Sequence, residues 1–328
     1  MQHVLSILPA RMAKNPVRKT HVGREIPARA LRHWLPLVMA LLSPPSLLGQ
    51  TDSLAVAGQR RSVPVDTVAP PGVDCTRLAI VGGVTAVGVT AIHVYQQHAW
   101  WRGYRGKFHF EEDLVYAKNV DKLGHLYAAS VLSFVFSRSL QWADVPDRSA
   151  LIWGAVGSTL FETYVEVEDG FSKFWGFDRV DFASDVVGAW YPVAQEFLPA
   201  LRSFNFKFSY LPKNQGEPRA FPGQTRTIFD DYEGQTIWLS VSVHDLLPRP
   251  VDACWPQWLC LAAGVAVKDN SSPDRYLVFY LAPDLDLTKI IPSNTWFLKT
   301  LGQALNFIHL PTPAVRFAPN VVWYGLYF

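Results

Sequence analysis

Charge is scarce in this 328-residue chain: Asp, Glu, Lys and Arg together make up 18%, against about a quarter in ordinary soluble domains. Positive charge is scarcer still in the body. Seven of the 30 Lys and Arg residues fall in residues 1–33 with a single Glu, so the remainder carries a net −4. A mildly acidic body gives little support to nucleic-acid binding. Cysteine is limited to Cys75, Cys254 and Cys260. They show no metal-ligand spacing and are odd in number. Cys254 and Cys260 read either as a pair across a turn or as two free thiols. Catalytic signatures are missing too. Gly157-Ser158-Thr159 lacks the nucleophile-elbow pattern, and neither a phosphate-cradling glycine loop nor a dinucleotide fingerprint occurs.

What the chain does have is apolar and aromatic mass, 49% and 13% of residues. That suffices for a sizeable core and leans towards membrane association, while a mean hydropathy of +0.08 is too low for a polytopic inner-membrane protein. The basic start (Arg11 to Arg32), the short apolar run Trp34–Leu42 and the small-residue exit to Gly49 read as a secretory signal peptide over residues 1–49. A transit peptide is the runner-up. The run is too short for a transmembrane anchor. Residues 50–75 read as a flexible linker. Val73-Asp74 before Cys75 depart from the small residues a lipoprotein signal places there.

The pattern then predicts an α+β protein: an up-down bundle of about four helices over residues 76–200, followed by an antiparallel sheet or partial barrel of about five to six strands over 201–328. The first helix (77–97) carries Gly82, Gly83, Ala86, Gly88 and Ala91, small residues that suit either a membrane-seated helix or a buried bundle helix. Helix two runs from an Asn119 cap to Trp142, helix three from Pro146-Asp147 to about Val167, with Asp147 as a cap, and helix four from Asp178 to about Phe197. Short connections make neighbours antiparallel. After Phe204 the period changes to two. Strands are expected at Phe204–Tyr210, Thr236–Val243 (Ile237, Leu239, Val241 and Val243 on one face), Leu259–Val267, Tyr276–Leu287 and Val321–Phe328. Residues 212–234 read as a long loop and 293–308 as an amphipathic helix capped by Ser293 or Asn294. The aromatic last strand, with Tyr324, Leu326 and the terminal Phe328, looks like the C-terminal assembly signal of outer-membrane β-barrels. So few strands cannot close a membrane barrel of about eight or more, so an open sheet or partial barrel against a membrane is expected, with a soluble closing strand as the alternative.

Chemistry concentrates between Asp121 and Gly188. Asp121 and His125 share a helix face, as do Glu162 and Glu166, with Asp169 beyond; Asp178, Asp181 and Asp185 lie at i, i+3 and i+7. In an up-down bundle these positions meet at one end, and small residues on the same faces press them together. Clustered carboxylates raise one another's pKa unless a cation sits among them. Lys122, Arg179, protonated His125 or a metal ion are the candidates. His125, Glu162, Asp181 and Asp185 form a reasonable set for a divalent metal, with Asp121 or Glu166 as general base. The bland alternative is a structural polar network, with Asp121 and Asp178 as helix caps. Gly170 and Gly176 suggest glycine-only turns in the 169–178 connector, which covers the polar end as a lid or packs as a tight aromatic loop.

Asp121-Lys122-x-x-His125, the Glu162/Glu166 helix, Gly170-Phe171-Ser172 and Asp178-x-x-Asp181-x-x-x-Asp185-x-x-Gly188 together resemble the YfiM-like family, a domain family of unknown function described as predicted periplasmic lipoproteins. The opening Asp-Lys-x-x-His is more weakly similar to VanZ-like membrane proteins. The resemblance covers roughly residues 76–200 and, in longer Bacteroidetes-type members, much of the sheet region. It implies a cell-envelope location, outer membrane or periplasmic, and brings no catalytic role. Three functions are therefore open: a membrane-associated envelope protein with a structural or interaction role and lipid or an envelope protein as partner; a metal-dependent enzyme on a lipid or envelope substrate; a binding protein for lipid or a small apolar ligand.

Overall fold

The computed structural model describes residues 72–328 apart from 102, 104, 217–225, 249 and 271. The expected signal segment and nearly all of the linker lie outside the described residues. The protein is α+β. Helix α1 (Cys75–Gln96) is capped by Asp74, whose carboxylate accepts from the Thr76 and Arg77 amides, and runs on as one π-helical turn, Gln97–Trp101. It buries only Gln96 along its α-helical length. Ile80, Val84, Val87, Ile92 and Val94 are all exposed.

Helices α2 (Val120–Trp142), α3 (Asp147–Gly170) and α4 (Arg179–Phe197) pack together as the tight part of the bundle. Their shared interior is built of small residues: Ala129, Ser130, Ser133 and Ser137 of α2, Ala150, Gly154 and Ser158 of α3, Gly188 and Ala189 of α4. A Cβ on Gly188 would stand 2.1 Å from the Leu126 carbonyl oxygen, and one on Gly154 would stand 2.7 Å from that of Ser133. Backbones this close need glycine. Large apolar side chains, among them Trp153, Leu160, Val187 and Trp190, point outward. Close backbone approach, rather than burial of large apolar side chains, holds these three helices together. Leu78, Val81 and Gly82 of α1 line an open apolar groove with Phe136 of α2 and Gly157 and Phe161 of α3.

Two expected caps differ. Asn119 takes a left-handed φ of 64° and makes no capping bond, because a 3-10 turn (Tyr116–Asn119) leads into α2. Asp147 lies inside the first turn behind Pro146 and makes no capping bond either. The 169–178 connector folds as a tight aromatic loop. Strand β1 (Phe110–Glu111) pairs in parallel with β2 (Phe177–Asp178), and Phe108, Phe110, Phe171 and Phe177 interlock. Gly176 adopts φ +122°, open only to glycine at low cost. Gly170 does not; it closes α3 and is small because a Cβ there would stand 2.3 Å from the Phe108 ring.

Strands β3 (Phe204–Tyr210), β4 (Gln235–Val241), β5 (Leu259–Lys268), β6 (Tyr276–Leu285), β7 (Thr312–Ala318) and β8 (Val322–Tyr327) form an antiparallel meander in sequence order. One-turn helices α5 (Val243–Leu246) and α6 (Leu287–Ile290), and α7 (Trp296–Leu305), sit in its connections. Thr295, not Ser293 or Asn294, caps α7, accepting from the Leu298 amide. Strand β7 was not expected from the sequence; its Pro313 falls at a register shift, where proline removes no ladder bond. The sheet curls into a partial barrel. Phe307 and His309, just ahead of β7, bond the free edge of β3 at Phe208 (2.9 and 3.0 Å). Across the interior the Thr236 and Tyr327 hydroxyls meet at 3.1 Å.

The barrel's inside is filled and part of its outside is covered, in an order the alternation alone does not give. Trp238, Tyr280, Ala262, Ala266 and Val278 fill the inside. The apolar face of β4 turns outward instead: Ile237, with Val265, Val267 and Leu277, packs on Val120 and Leu123 of α2. Phe208 stacks on Tyr127 at 5.4 Å. Val243 leaves this face to begin α5. Beyond the bundle the same outer face is bare, exposing Leu261, Phe279, Leu281, Phe317 and Trp323. The register shift around Gly325 breaks the alternation of β8. Tyr324 and Tyr327 both pack inward on Tyr280, while Leu326 and Phe328 are exposed.

Candidate functional site: a carboxylate and histidine cluster at one end of the bundle

Helix direction and spacing bring the start of α2, the end of α3 and the start of α4 together. Lys122 is the hub of one half. Its ammonium meets Asp121 at 3.1 Å, Asp178 at 2.9 Å and Asp181 at 2.9 Å, all largely buried. Asp178 is a true cap, accepting from the Val180 and Asp181 amides, and also accepts from the Asp113 amide. Asp121 is no cap; it lies within the first turn and its Oδ2 takes Lys122. His125 is the hub of the other half. Its Nδ1 lies 3.1 Å from Asp185 and 4.0 Å from Glu166, and its Nε2 is 3.8 Å from Asp181. Glu166 Oε2 accepts the Asp178 amide at 3.1 Å, which ties the two halves. Glu162 lies one turn deeper, close enough to feel the charges of Asp185 and His125.

Electrostatics separates the members. Burial would raise the Asp178 carboxyl, but the Lys122 hydrogen bond and two backbone amides outweigh it and hold it below its ordinary value. Lys122 is itself raised: burial works against its charge, and the bonds to Asp178 and Asp181 with the Asp121 charge overcome it. For Asp121, burial wins despite Lys122, pushing it up to about 6. Burial pushes Glu166 up to about 9 and Glu162 to about 8, with His125 only partly offsetting it. Burial alone would lower His125, but the Asp185 bond and charge, with Asp181 and Glu166, hold it well above its usual value.

Of the set expected for a metal, His125 and Asp185 converge, and Glu166 joins them where Asp181 and Glu162 were expected. One donor atom from each of His125, Glu166 and Asp185 lies within 4.8 Å of the others. Asp181 is engaged by Lys122. Asp169 stands apart, accepting from the Trp101 indole at 2.5 Å. Arg179 also stands apart, pairing with Glu112 at 3.3 Å.

A second buried ionic network, inside the barrel, was missed from the sequence. Asp284 Oδ2 meets Lys207 at 2.7 Å and Ser240 at 2.5 Å, and Oδ1 meets His309 at 2.9 Å. Lys207 also donates to Leu285 O and Asn306 Oδ1, and Trp238 stacks on His309 at 4.0 Å. Burial would raise Asp284, but these partners hold it below its ordinary value. The signal was Lys207 in mid-strand between Phe206 and Phe208, where a lysine on a solvent face and one on a polar interior look alike. Cys75, Cys254 and Cys260 are all free.

Residues 108–195 match the family described as Predicted periplasmic lipoprotein (DUF2279). That stretch runs from the aromatic loop through α4 and holds every residue of the bundle cluster. It supports an uncharacterised family of periplasmic-lipoprotein type and a cell-envelope location, with no activity attached; the YfiM-like name and the VanZ-like similarity gain nothing from it. Helix α1 and the barrel lie outside the matched residues. Neither the curated proteins nor the solved structures gave a match.

Proposed function

We propose that this is a membrane-seated protein of the cell envelope with a structural or interaction role, held in lipid by α1, with the bare outer face of the barrel lying against the same membrane. The observation that carries the reading is α1 with its π-helical turn. Cys75–Trp101 is 27 residues, long and apolar enough to cross a bilayer, and its apolar core window is 0% buried by the rest of the protein. A helix of this composition left bare in water would expose a large unbroken apolar surface, which soluble monomers rarely do. Exposed Trp323, Leu326 and Phe328 on the barrel agree with an outer-membrane site, and lipid is then the direct partner.

The test is membrane fractionation followed by an alkaline carbonate wash, on wild type and on the double variant Val84→Lys, Val87→Lys. These positions are 67% and 71% exposed. In a spanning helix each lysine costs about 2.5–3.5 kcal/mol at the centre; on a wet surface it costs within about 0.5 kcal/mol. Wild type should stay in the pellet and the variant should be released. Wild type recovered wholly in the soluble fraction overturns the reading. Deleting Phe328 should impair outer-membrane assembly; unchanged assembly removes the outer-membrane half.

A further inference from the structure

We propose that the bundle cluster is a divalent metal site in which His125, Glu166 and Asp185, one residue from each of α2, α3 and α4, hold a zinc or manganese ion. The inference goes beyond membrane seating and does not depend on it.

The first support is charge placement. Asp121, Glu162, Glu166, Asp178, Asp181 and Asp185 face two cationic side chains. Lys122 is spent on Asp121, Asp178 and Asp181. Among the described residues, the remaining carboxyls, Glu162, Glu166 and Asp185, have His125 as their adjacent cationic group. Three carboxyls around one imidazole either hold protons or take up further positive charge, and a bound cation is the arrangement that lets all of them ionise. The second support is an unmatched acceptor. Asp185 is 1% exposed; its Oδ1 faces His125, and its Oδ2 has no hydrogen-bond partner among the described residues. Buried carboxylate oxygens in a settled ionic network are paired.

The third support is orientation. Glu166 is held from behind: its Oε2 accepts the Asp178 amide, leaving Oε1 turned to His125. With Nδ1 on the metal side, His125 Nε2 faces Asp181 Oδ1 at 3.8 Å. At that distance the pair is electrostatic rather than hydrogen-bonded, and the acidic neighbour favours the proton on Nε2, leaving Nδ1 for the ion. The helices that carry the donors are locked by backbone contact at Gly188 against Leu126, and by the Ser158 hydroxyl donating to the Ala129 carbonyl at 2.8 Å. Donors separated by up to 4.8 Å need to close by roughly an ångström, given metal–ligand bonds of about 2.0–2.2 Å. Side-chain rotation supplies that. One imidazole with carboxylates suits zinc or manganese; calcium takes about six to eight oxygens and no imidazole.

The experiment uses the full, untagged chain in detergent, stripped with a chelator and dialysed against zinc or manganese. Metal content and Tm are measured for wild type, Glu166→Gln, Asp185→Asn and, as control, Asp147→Asn at the far end of α3. Expected are one equivalent per wild-type chain, a Tm rise of roughly 5–10 °C at saturating metal, at least about tenfold weaker binding in both cluster variants, and a control like wild type. No stoichiometric metal and no Tm shift in wild type overturns the proposal. So does undiminished affinity in both variants, which would put the ion elsewhere. X-ray absorption on metal-loaded wild type needs no variant to fold: one imidazole among oxygen donors supports the site, and an all-oxygen shell or several imidazoles overturns it.

Discussion

In the barrel, Asp284 faces Lys207, His309 and Ser240 and both its oxygens are engaged; in the bundle, Asp185 faces His125 and its Oδ2 is not engaged. Both carboxylates are 1% exposed. The barrel network holds a single carboxylate among its cations and donors, and it pins β3, β4, β6 and the 306–309 segment to one another. That is what closes the curl. The bundle cluster crowds carboxylates onto few cations and is kept together by helices that glycine and alanine bring into contact. The difference separates a closed network, whose carboxylate oxygens are both engaged, from an open one that leaves a buried carboxylate oxygen unengaged.

The largest expected effect comes from breaking the closed network. Asp284→Ala strands a lysine and a histidine inside the barrel and should cost about 3–5 kcal/mol, read as a loss in the urea midpoint. A cost within 1 kcal/mol would mean the network is not what holds the barrel shut. Next come the glycines beneath each region. A Cβ on Gly188 meets the Leu126 backbone at 2.1 Å, whereas one on Gly264 meets the movable Trp238 ring at 2.6 Å. Backbone cannot yield as a ring can. Gly188→Ala should therefore cost more than Gly264→Ala, with overpacking of about 1–3 kcal/mol as the scale. The reverse order in thermal melts would put the rigid packing in the barrel rather than the bundle. Third, with chelator present, Glu166→Gln should be neutral or stabilise by about 1 kcal/mol, since it removes an uncompensated carboxyl. A marked loss would mean that the bundle network is already closed.

Much of this was legible in the residues, and the limits have physical causes. Spacing of three, four and seven places Asp121, His125, Glu166 and Asp185 on converging faces, because helix geometry fixes direction from sequence alone. The strand signal at Phe204–Tyr210 was equally clear. Alternation in a strand, however, names two faces without saying which is inside. Ile237 looks like a barrel core residue, yet it packs on α2, while Thr236, Trp238 and Ser240 line the interior. Lys207 and Asp284 were unreadable for the same reason. His309 was beyond reach because it arrives from a segment that joins β3 only through tertiary pairing. Strand β7 was hidden by Pro313, whose bulge position no local pattern reveals. Within the cluster, the place of Glu166 over Asp181 turns on Lys122, whose reach to Asp178 and Asp181 depends on side-chain packing rather than on helical period.

The subtlest contrast is in pH. Asp284 is held below the ordinary aspartate value in the folded state, so it contributes stability that is present above about pH 4 and lost as pH falls through its folded value. Asp121 is raised by burial to about 6. The folded state then binds that proton more tightly than the unfolded chain, so its contribution is full below about pH 4 and declines as pH rises to about 6. The two slopes have opposite signs in adjacent windows, each at most about 1.4 kcal/mol per pH unit for one proton. Chelator-treated protein should be most stable near the boundary. Glu162 and Glu166, raised to about 8 and 9, add to the decline from about pH 4.5 upward. Asp121→Asn should therefore reduce the slope between about pH 4 and 6 by up to one proton's share and leave the acid limb, while Asp284→Asn should flatten the acid limb at a lower overall stability. If Asp121→Asn leaves the upper slope intact in urea midpoints taken from pH 3 to 7, then Lys122 compensates Asp121 fully, and the Lys122 half of the cluster belongs with the closed network of the barrel.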